Sequence, residues 1–364
     1  MNINALLKTM IDKNASDLHL RVGTAATFRI NGMLFRAQTE PMTADEMDGI
    51  CTSIMRPDQK EIFTNTNELD FAIGLKGVGR FRINAFRQRG TPSLAIRSIK
   101  TVIPSFSELG LPNVILDIAM KKRGLILVTG TTGSGKSTLL ASMIDHINSN
   151  TSVNIVTIED PVEYLYRDKM SIIAQREVGT DTQRFANALR ASFRQDPDVI
   201  LIGEIRDQDT MDTAMSAADT GHLVMSTLHT MNALETVSRI LSFFPPHQHQ
   251  QVRLVLSSVL VAVISLRLLE KKDNSGVVPA AEIMINNAAI ADYILNPEKS
   301  HCIVPAICEG YTQYGSQSFD QSLLQLFRED LITFQTAKQN ASNPDDFELK
   351  VKGVEGTSDR KWIQ

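Results

Sequence analysis

The feature that most constrains the fold is the stretch GTTGSGKS at residues 130–137, which lies between the apolar run LILVT and the helical pattern STLLASMIDHI. It matches G-x-x-x-x-G-K-S, and a strand before it with a helix after it is the context in which this motif forms a phosphate loop. The glycines let the backbone turn so that its N–H groups and the N-terminus of the next helix face an anion. A chance glycine-rich turn is the alternative, which the strand–helix context disfavours. We therefore predict a nucleotide site.

The motif assigns separate tasks to the residues of this loop. Lys136 is expected to contact the β- and γ-phosphates of ATP, and the Ser137 hydroxyl is expected to ligate Mg²⁺. ATP and Mg²⁺ are therefore the predicted cofactors. The candidate nucleotide-binding residues are Gly130, Thr131, Thr132, Gly133, Ser134, Gly135, Lys136, Ser137 and Thr138.

Apolar runs beyond residue 113 alternate with helical patterns, which predicts a parallel sheet with crossover helices. Four runs are apolar enough for strands buried on both faces, namely GLILVTG, VNIVTIE, DVILIGE and HLVMSTL. The start of the chain predicts a smaller α+β domain with a hairpin turn at Asn31-Gly32. The predicted organisation is an N-terminal domain at 1–98, a linker at 99–112, an α/β domain with C-terminal helices at 113–340 and a polar tail at 341–364.

Composition limits the partners and the compartment. The chain has 364 residues and a net charge of -4 at pH 7, so no strong overall field attracts it to nucleic acid or anionic lipid. Its three cysteines form no C-x-x-C pair and cannot all be disulfide-bonded, which predicts a reducing cytoplasm and no structural zinc. The most apolar run, LVLSSVLVAVISL at 254–266, is too short to span a bilayer and is interpreted as a buried helix.

Two acidic strand ends follow the phosphate loop. The run DVILIG places Glu204 at the carboxyl end of a buried strand, where the sites of parallel sheets lie, so Glu204 is predicted to order the metal and its water shell. In TIEDPVEY, Pro161 ends a second strand, and Glu159, Asp160 and Glu163 cluster beside it. Any of these three could activate the attacking water, and their spacing does not choose among them. The alternative is that they cap a helix or hold arginines.

Two histidines, His222 and His229, flank the run LVMSTL, whose apolar and β-branched residues favour a strand. An extended chain rises about 3.3 Å per residue, which separates the two rings by roughly 20 Å. A shared metal ion is therefore not expected, and the two histidines are predicted to have separate roles.

A basic stripe occurs in the first domain. In RFRI, Arg80 and Arg82 are predicted to share one strand face while Phe81 and Ile83 pack on the other. Such a stripe is usually the solvated face of a strand. The functional alternative is that a guanidinium is placed on the charge that develops in phosphoryl transfer.

Together these motifs resemble the retraction ATPases of bacterial type IV pili, the PilT/PilU branch of the secretion-ATPase superfamily. The resemblance covers roughly residues 1–335. It implies an α/β fold in which a RecA-like P-loop ATPase domain follows a smaller α+β, PAS-like N-terminal domain, and it implies a hexameric ring. The matching segments are ASDLHLRVG, GRFRINAFRQRG, GTTGSGKST, TIEDPVEY, LRASFRQDPDVILIGEIRD and TGHLVMSTLHT.

By position, the resemblance implies that Glu163 activates water and that Glu204 is the glutamate of the Walker B strand. It implies that His229 senses the γ-phosphate, whereas His222 at the opposite strand end is a structural or interface residue. Arginines of the N-terminal domain are implied to approach the nucleotide from across a domain cleft or from a neighbouring subunit. The candidates are Arg80, Arg82 and Arg97.

One stretch departs from the family pattern. PilT-type motors carry A-I-R-N-L-I-R-E late in the chain, whereas residues 288–300 here read AAIADYILNPEKS, and the ending is closer to PilU-like paralogues. The resemblance therefore implies Mg²⁺-dependent ATP hydrolysis that drives pilus retraction and twitching motility, as the main motor or as an accessory to a paralogous ATPase. It also implies a cytoplasmic protein that is peripheral at the inner membrane and docked on a pilus platform protein. From the net charge, no nucleic-acid partner is expected.

Three other functions are weighed against this one. An assembly or secretion ATPase of the same superfamily is one, although such proteins carry a C-x-x-C…C-x-x-C module that this chain lacks. A DNA-dependent RecA-fold motor is another, but the net acidity and an aromatic content of 6% offer no stacking platform for single strands. A scaffold that binds ATP without hydrolysis is the third, and the presence of Lys136, Ser137, Glu163 and Glu204 disfavours it.

Overall fold

The computed structural model describes residues 2–30, 32–99 and 102–353. By its internal contacts the chain forms two units, and the boundary between them falls after Val102. The short segment Glu163–Leu165 groups with the first unit, although the residues before and after it belong to the second.

The first unit is an antiparallel sheet with helices, the α+β arrangement that the sequence predicts. Its six strands are paired in the order β3-β2-β1-β6-β5-β4. Its helices are α1 (Ile3–Asp12), α2 (Ala44–Ile54) and α3 (Pro57–Thr66). Its strands are β1 (Asp17–Arg21), β2 (Thr27–Ile30), β3 (Met33–Arg36), β4 (Glu68–Leu75), β5 (Gly79–Gln88) and β6 (Thr91–Ile99).

Strand β5 shows how side-chain alternation builds this unit. Phe81 and Ile83 are fully buried in a core shared with α1 and α2, while Arg80 and Arg82 lie on the other face and are partly exposed. The β2–β3 hairpin also forms, and Gly32 in its turn has a φ of +81° that an L side chain would rarely adopt. The other predicted turn residue, Asn31, lies outside the described residues.

The second unit is built on a seven-stranded sheet in the order β13-β12-β7-β11-β10-β8-β9. Neighbouring strands are parallel except for β13, which is antiparallel to β12. The four strands predicted from apolar runs are confirmed as β7, β8, β10 and β11. The strands are β7 (Gly124–Thr129), β8 (Asn154–Glu159), β9 (Ile172–Glu177), β10 (Val199–Ile202), β11 (Leu223–Leu228), β12 (Leu260–Glu270) and β13 (Val277–Ile285).

Helices cover both faces of this sheet, so its central strands are buried on both sides. The helices of the second unit are α4 (Val114–Ala119), α5 (Lys136–Asn150), α6 (Phe185–Ser192), α7 (Gln208–Asp219), α8 (Ala233–Ser242), α9 (His249–Val259), α10 (Ala288–Leu295), α11 (Ile303–Glu309), α12 (Tyr311–Tyr314), α13 (Phe319–Arg328), α14 (Phe334–Asn340) and α15 (Pro344–Val351).

The apolar run 254–266 is not one buried helix, and that interpretation was wrong. Helix α9 ends at Val259, and β12 begins at the next residue and pairs in parallel with β7. The side-chain amide of Asn286 fixes the junction by donating to the carbonyls of Ser257 (2.9 Å) and Leu260 (2.8 Å). A continuously apolar run does not reveal such a boundary, because buried helices and buried strands share the same composition.

The segment beginning at 341, interpreted as a polar tail, starts with helix α15 in the part that the structure describes. Asn343 caps this helix, and Phe347 is 1% exposed in a cluster with Phe319 and Leu323. Arg267 of β12 stacks on the Phe319 ring, with its guanidinium carbon 3.8 Å from the ring centroid. Among the described residues, no helix has both the length and the apolar character that a membrane span requires.

Candidate active site

The predicted phosphate loop leaves the carboxyl end of β7, a strand buried along its whole length. Gly130 has a φ of +137°, and a Cβ there would lie 2.5 Å from both the Leu266 carbonyl oxygen and Ser134 Oγ. Only glycine fits this position. Gly135, with a φ of +97°, then turns the chain into α5. The sequence therefore folds here into a tight backbone cradle.

Two polar side chains point to what this cradle can hold. Lys136 is only 8% exposed, and its Nζ donates to the carbonyls of Gly130 (2.8 Å) and Thr131 (2.9 Å). Ser134 Oγ is buried and has no hydrogen-bond partner among the described residues. A buried cation and an unsatisfied hydroxyl, set in a glycine loop at a helix N-terminus, are suited to a phosphate group. The residues present therefore fit the predicted nucleotide.

Glu204 follows β10, and its backbone is held on both sides. The Gly203 N–H donates to the Ile158 carbonyl (2.8 Å), and the Thr227 hydroxyl donates to the Gly203 carbonyl (2.7 Å). On the other side, the Ile205 N–H donates to the Thr227 carbonyl (3.1 Å). The position of Glu204 at the carboxyl end of β10 is thus fixed by the two neighbouring strands, β8 and β11.

The carboxylate of Glu204 lies between two nitrogen-bearing side chains. Its Oε2 is 3.3 Å from His229 Nε2, and its Oε1 pairs with Arg206. The hydrogen bond with Glu204 raises the pKa of the Arg206 guanidinium, and the charge of Asp160 acts in the same direction. The structure therefore brings together two predicted residues, Glu204 and His229, and adds one that was not predicted.

The acidic turn after β8 contains residues in different settings. Glu159 is buried, and its Oε1 accepts from Thr157 Oγ1 (2.7 Å) and Gln175 Nε2 (3.2 Å). Glu163, by contrast, is exposed and groups with the first unit. Of these two acids, Glu159 has the contacts of a structural residue. The sequence alone did not separate the two.

A buried acid on the next strand holds this turn. The peptide bond before Pro161 is cis, and the following Val162 N–H donates to Glu177 Oε2 at 3.3 Å. Glu177 ends β9 and is directly opposite Glu159 in the strand register. It therefore fixes the backbone one residue before Glu163.

With this geometry established, comparison with known proteins decides the family. The model of the family described as "Type II/IV secretion system protein" matches residues 1–312. The chain belongs to this family.

Similar proteins in the family cover almost the whole chain. The type IV pilus ATPase PilU of Pseudomonas aeruginosa is 39% identical over 360 residues, which is 99% of this chain and 94% of PilU. The type IV pilus retractation ATPase PilT of the same organism is 40% identical over 347 residues, covering 95% and 100%. A crystal structure of the pilus retraction motor PilT with bound ADP matches with a TM-score of 0.88 at 43% identity, covering 96% of this chain and 99% of that one. The predicted PilT/PilU resemblance and the RecA-like fold class are confirmed.

In this member of the Type II/IV secretion system family, the two histidines lie at opposite ends of β11. The His222 carbonyl accepts from the Gly124 N–H at 3.0 Å, where β7 begins. Its ring nitrogen Nδ1 is 3.0 Å from the Ala217 carbonyl, and its ring is 5.7 Å from that of Phe193. These contacts are structural, whereas His229 reaches Glu204 at the carboxyl edge.

The candidate arginines of the first unit have acidic neighbours within that unit. Arg82 and Arg97 are directly opposite each other in the β5–β6 pair. Arg82 Nε is 3.8 Å from Asp70, and Arg97 Nε donates to Asp17 at 2.8 Å. Although burial opposes it, the bond from Arg97 helps to lower the pKa of Asp17. Arg80 lies on the same face of β5 as Arg82.

Proposed function

We propose that this chain is a Mg²⁺-dependent ATPase that drives retraction of a type IV pilus, as the main motor or as an accessory to a paralogous ATPase. The observation that carries the proposal is the cradle at the end of β7, with its buried lysine and its unsatisfied serine hydroxyl. The names of the relatives support retraction as the process, because PilT is described as a pilus retraction motor, and its crystal structure contains bound ADP.

Residues 130–138 bind the nucleotide in this proposal. The backbone of the loop surrounds the phosphates, and Lys136 exchanges its contacts with loop carbonyls for contacts with the β- and γ-phosphates. Mg²⁺, when bound, neutralises phosphate charge; Ser137 and, partly through water, Glu204 are its proposed ligands.

The acids and His229 complete the proposed hydrolytic site. Glu163 would orient and activate the attacking water. Glu204 would order the water molecules of the Mg²⁺ site, to which Ser137 would contribute its hydroxyl. His229 senses the γ-phosphate and reports its presence to Glu204, whose carboxylate it contacts at 3.3 Å. The distance supports this coupling, because a change at the ring reaches the carboxylate without an intermediate group.

Arginines of the first unit are proposed to supply positive charge to the transferred phosphoryl group. Arg80, Arg82 and Arg97 are the candidates. Because Arg82 and Arg97 are partnered by Asp70 and Asp17, such a role requires them to exchange these partners for the nucleotide. The test of this role is the rate of ATP hydrolysis by Arg82→Ala, measured where its nucleotide affinity is unchanged. A rate equal to that of the wild type would exclude Arg82 from the mechanism.

The proposed assembly is a homo-hexamer in the cytoplasm, peripheral at the inner membrane. Its proposed partners are a pilus platform protein and a paralogous retraction ATPase. Complementation separates the main from the accessory role. Expression of this chain alone in cells lacking every such motor restores retraction if it is the main motor, whereas an accessory restores it only beside a second motor. If the chain instead restores pilus assembly, the assembly alternative is correct.

Phosphate release from ATP tests the catalytic part directly. We expect turnover by the wild type and its loss in Lys136→Ala and Glu204→Gln. Glu298→Gln is a matched control, because Glu298 is an exposed acid of the same unit, and we expect it to behave like the wild type. Hydrolysis that is equal in Glu204→Gln and Glu298→Gln would contradict the proposed site. Stimulation by DNA would favour the DNA-motor alternative.

A further inference from the structure

Arg206 is a charged group at the candidate site to which no role has been assigned. It follows β10 by four residues and pairs with Glu204 Oε1. Its side chain is 64% exposed, whereas that of Glu204 is 15% exposed. An exposed arginine therefore reaches inward to a carboxylate that is mostly shielded from solvent.

The backbone around Glu204 does not depend on this contact. Hydrogen bonds from Gly203 to β8 and between Thr227 and the residues on either side of Glu204 fix the chain there. Only the side-chain torsions of Glu204 remain to be set. Substitution of Arg206 is thus expected to leave the fold intact and to release only the carboxylate.

The carboxylate has one neighbour on each oxygen. His229 Nε2 lies 3.3 Å from Oε2, and Arg206 takes Oε1. A planar guanidinium is well suited to fixing a carboxylate in one orientation. With Arg206 in place, the free rotation of Glu204 is limited to the orientation that faces His229.

Asp160 adds a second reason for the position of Arg206. Asp160 directly follows β8, and its charge acts on the pKa of the guanidinium in the same direction as Glu204 does. Ion pairs with exposed partners contribute little to folding stability. The pairing of Arg206 is therefore better explained by what it does to Glu204 than by stabilisation of the fold.

We propose that Arg206 is a positioning residue of the hydrolytic site, which holds the Glu204 carboxylate in the orientation that contacts His229. The inference rests on the proposed ATPase function. Because Arg206 acts through Glu204, its loss affects turnover and not the binding of the nucleotide in the cradle.

The test compares Arg206→Gln and Arg206→Lys with the wild type in the full-length protein. We expect Arg206→Gln to lower kcat about ten- to a hundredfold, since a misplaced catalytic group costs that much. KM for ATP and the equilibrium affinity for a fluorescent ATP analogue with Mg²⁺ are expected to change less than about threefold. Arg206→Lys keeps the charge without the planar fork and is expected to recover part of kcat.

Arg190→Gln is the matched control. Arg190 is 58% exposed, and it pairs with an acid other than Glu204, namely Asp209 of the same unit, at 3.6 Å. We expect its kinetics to equal those of the wild type. If Arg206→Gln and Arg190→Gln both turn over like the wild type, the positioning role is wrong. A parallel loss of analogue affinity and kcat in Arg206→Gln also overturns it, since that result indicates a general structural defect. A wild type that binds the analogue but releases no phosphate refutes the proposed function itself.

Discussion

The pH dependence of stability is expected to be governed in part by Glu282, a buried acid on β13. Glu282 is 5% exposed, and its carboxylate accepts from the Ala233 N–H at 2.7 Å, at the start of α8. Burial raises the pKa of this carboxyl to about 7. The charge of Arg267 opposes the rise and that of Asp320 adds to it.

The direction of the effect follows from which state holds the proton. The ordinary pKa is 4.5 and the pKa in the fold is about 7, so the folded protein retains a proton that the unfolded chain releases between these values. The stabilising contribution is therefore fully present below pH 4.5 and is lost as the pH rises through 7. At ~1.36 kcal/mol per pH unit, the loss by pH 8 amounts to about 3 kcal/mol.

Glu282→Gln isolates this contribution. The amide keeps an oxygen that can accept from Ala233, but it carries no charge at any pH. We expect its free energy of unfolding to exceed that of the wild type by about 3 kcal/mol at pH 8, and to approach that of the wild type at pH 5.

The measurement is urea unfolding followed by far-UV circular dichroism at pH 5, 6, 7 and 8. The exposed acid variant Glu298→Gln serves as the control, with an expected profile parallel to that of the wild type. Parallel profiles for Glu282→Gln and the wild type would refute the reasoning.

Two further outcomes follow from the geometry. Gly130→Ala is expected to weaken binding of a fluorescent ATP analogue at least about tenfold, because the φ of +137° and the close Leu266 carbonyl exclude a Cβ. Gly49→Ala, where a Cβ meets nothing within 4 Å, should bind normally. Phe347→Ala is expected to lower the free energy of urea unfolding by about 3–5 kcal/mol, because this ring is 1% exposed in its cluster. A loss below about 1 kcal/mol would show that α15 contributes little to the cluster.

Features encoded by neighbouring residues could be predicted from the sequence. The strands β7, β8, β10 and β11 are short apolar runs with breakers at their ends. The phosphate loop follows a known motif, in which a glycine such as Gly130 is required because a Cβ would clash with its neighbours. Glu204 was placed at the carboxyl end of its strand because the sites of parallel sheets lie there, whereas the role of His229 at the nucleotide was implied by the family resemblance. Their contact at 3.3 Å agrees with that placement.

Contacts that depend on the order of the strands in the sheet could not be predicted from the sequence. Glu177 meets the Val162 N–H across 15 residues, and Glu282 meets the Ala233 N–H across 49. Both contacts require knowledge of which strand lies beside which, and the sequence did not reveal β9, β12 or β13. Arg206 is only two residues from Glu204, but its role becomes visible only when the other carboxylate oxygen is seen to face His229.

Three buried polar residues, Thr129, Ser265 and Glu282, form a row across the second sheet at the level where β7 ends. Thr129, the last residue before the cradle, donates to Ser265 Oγ at 2.9 Å, and both side chains are fully buried. Ser265 is in turn directly opposite Glu282, which accepts from the start of α8. An apolar set of the same size would be less costly to bury, since each polar group must find a partner there. A directional bond fixes how far one strand extends relative to the next, which apolar packing does not. The row therefore aligns the strand that delivers the phosphate loop with the helix that follows His229.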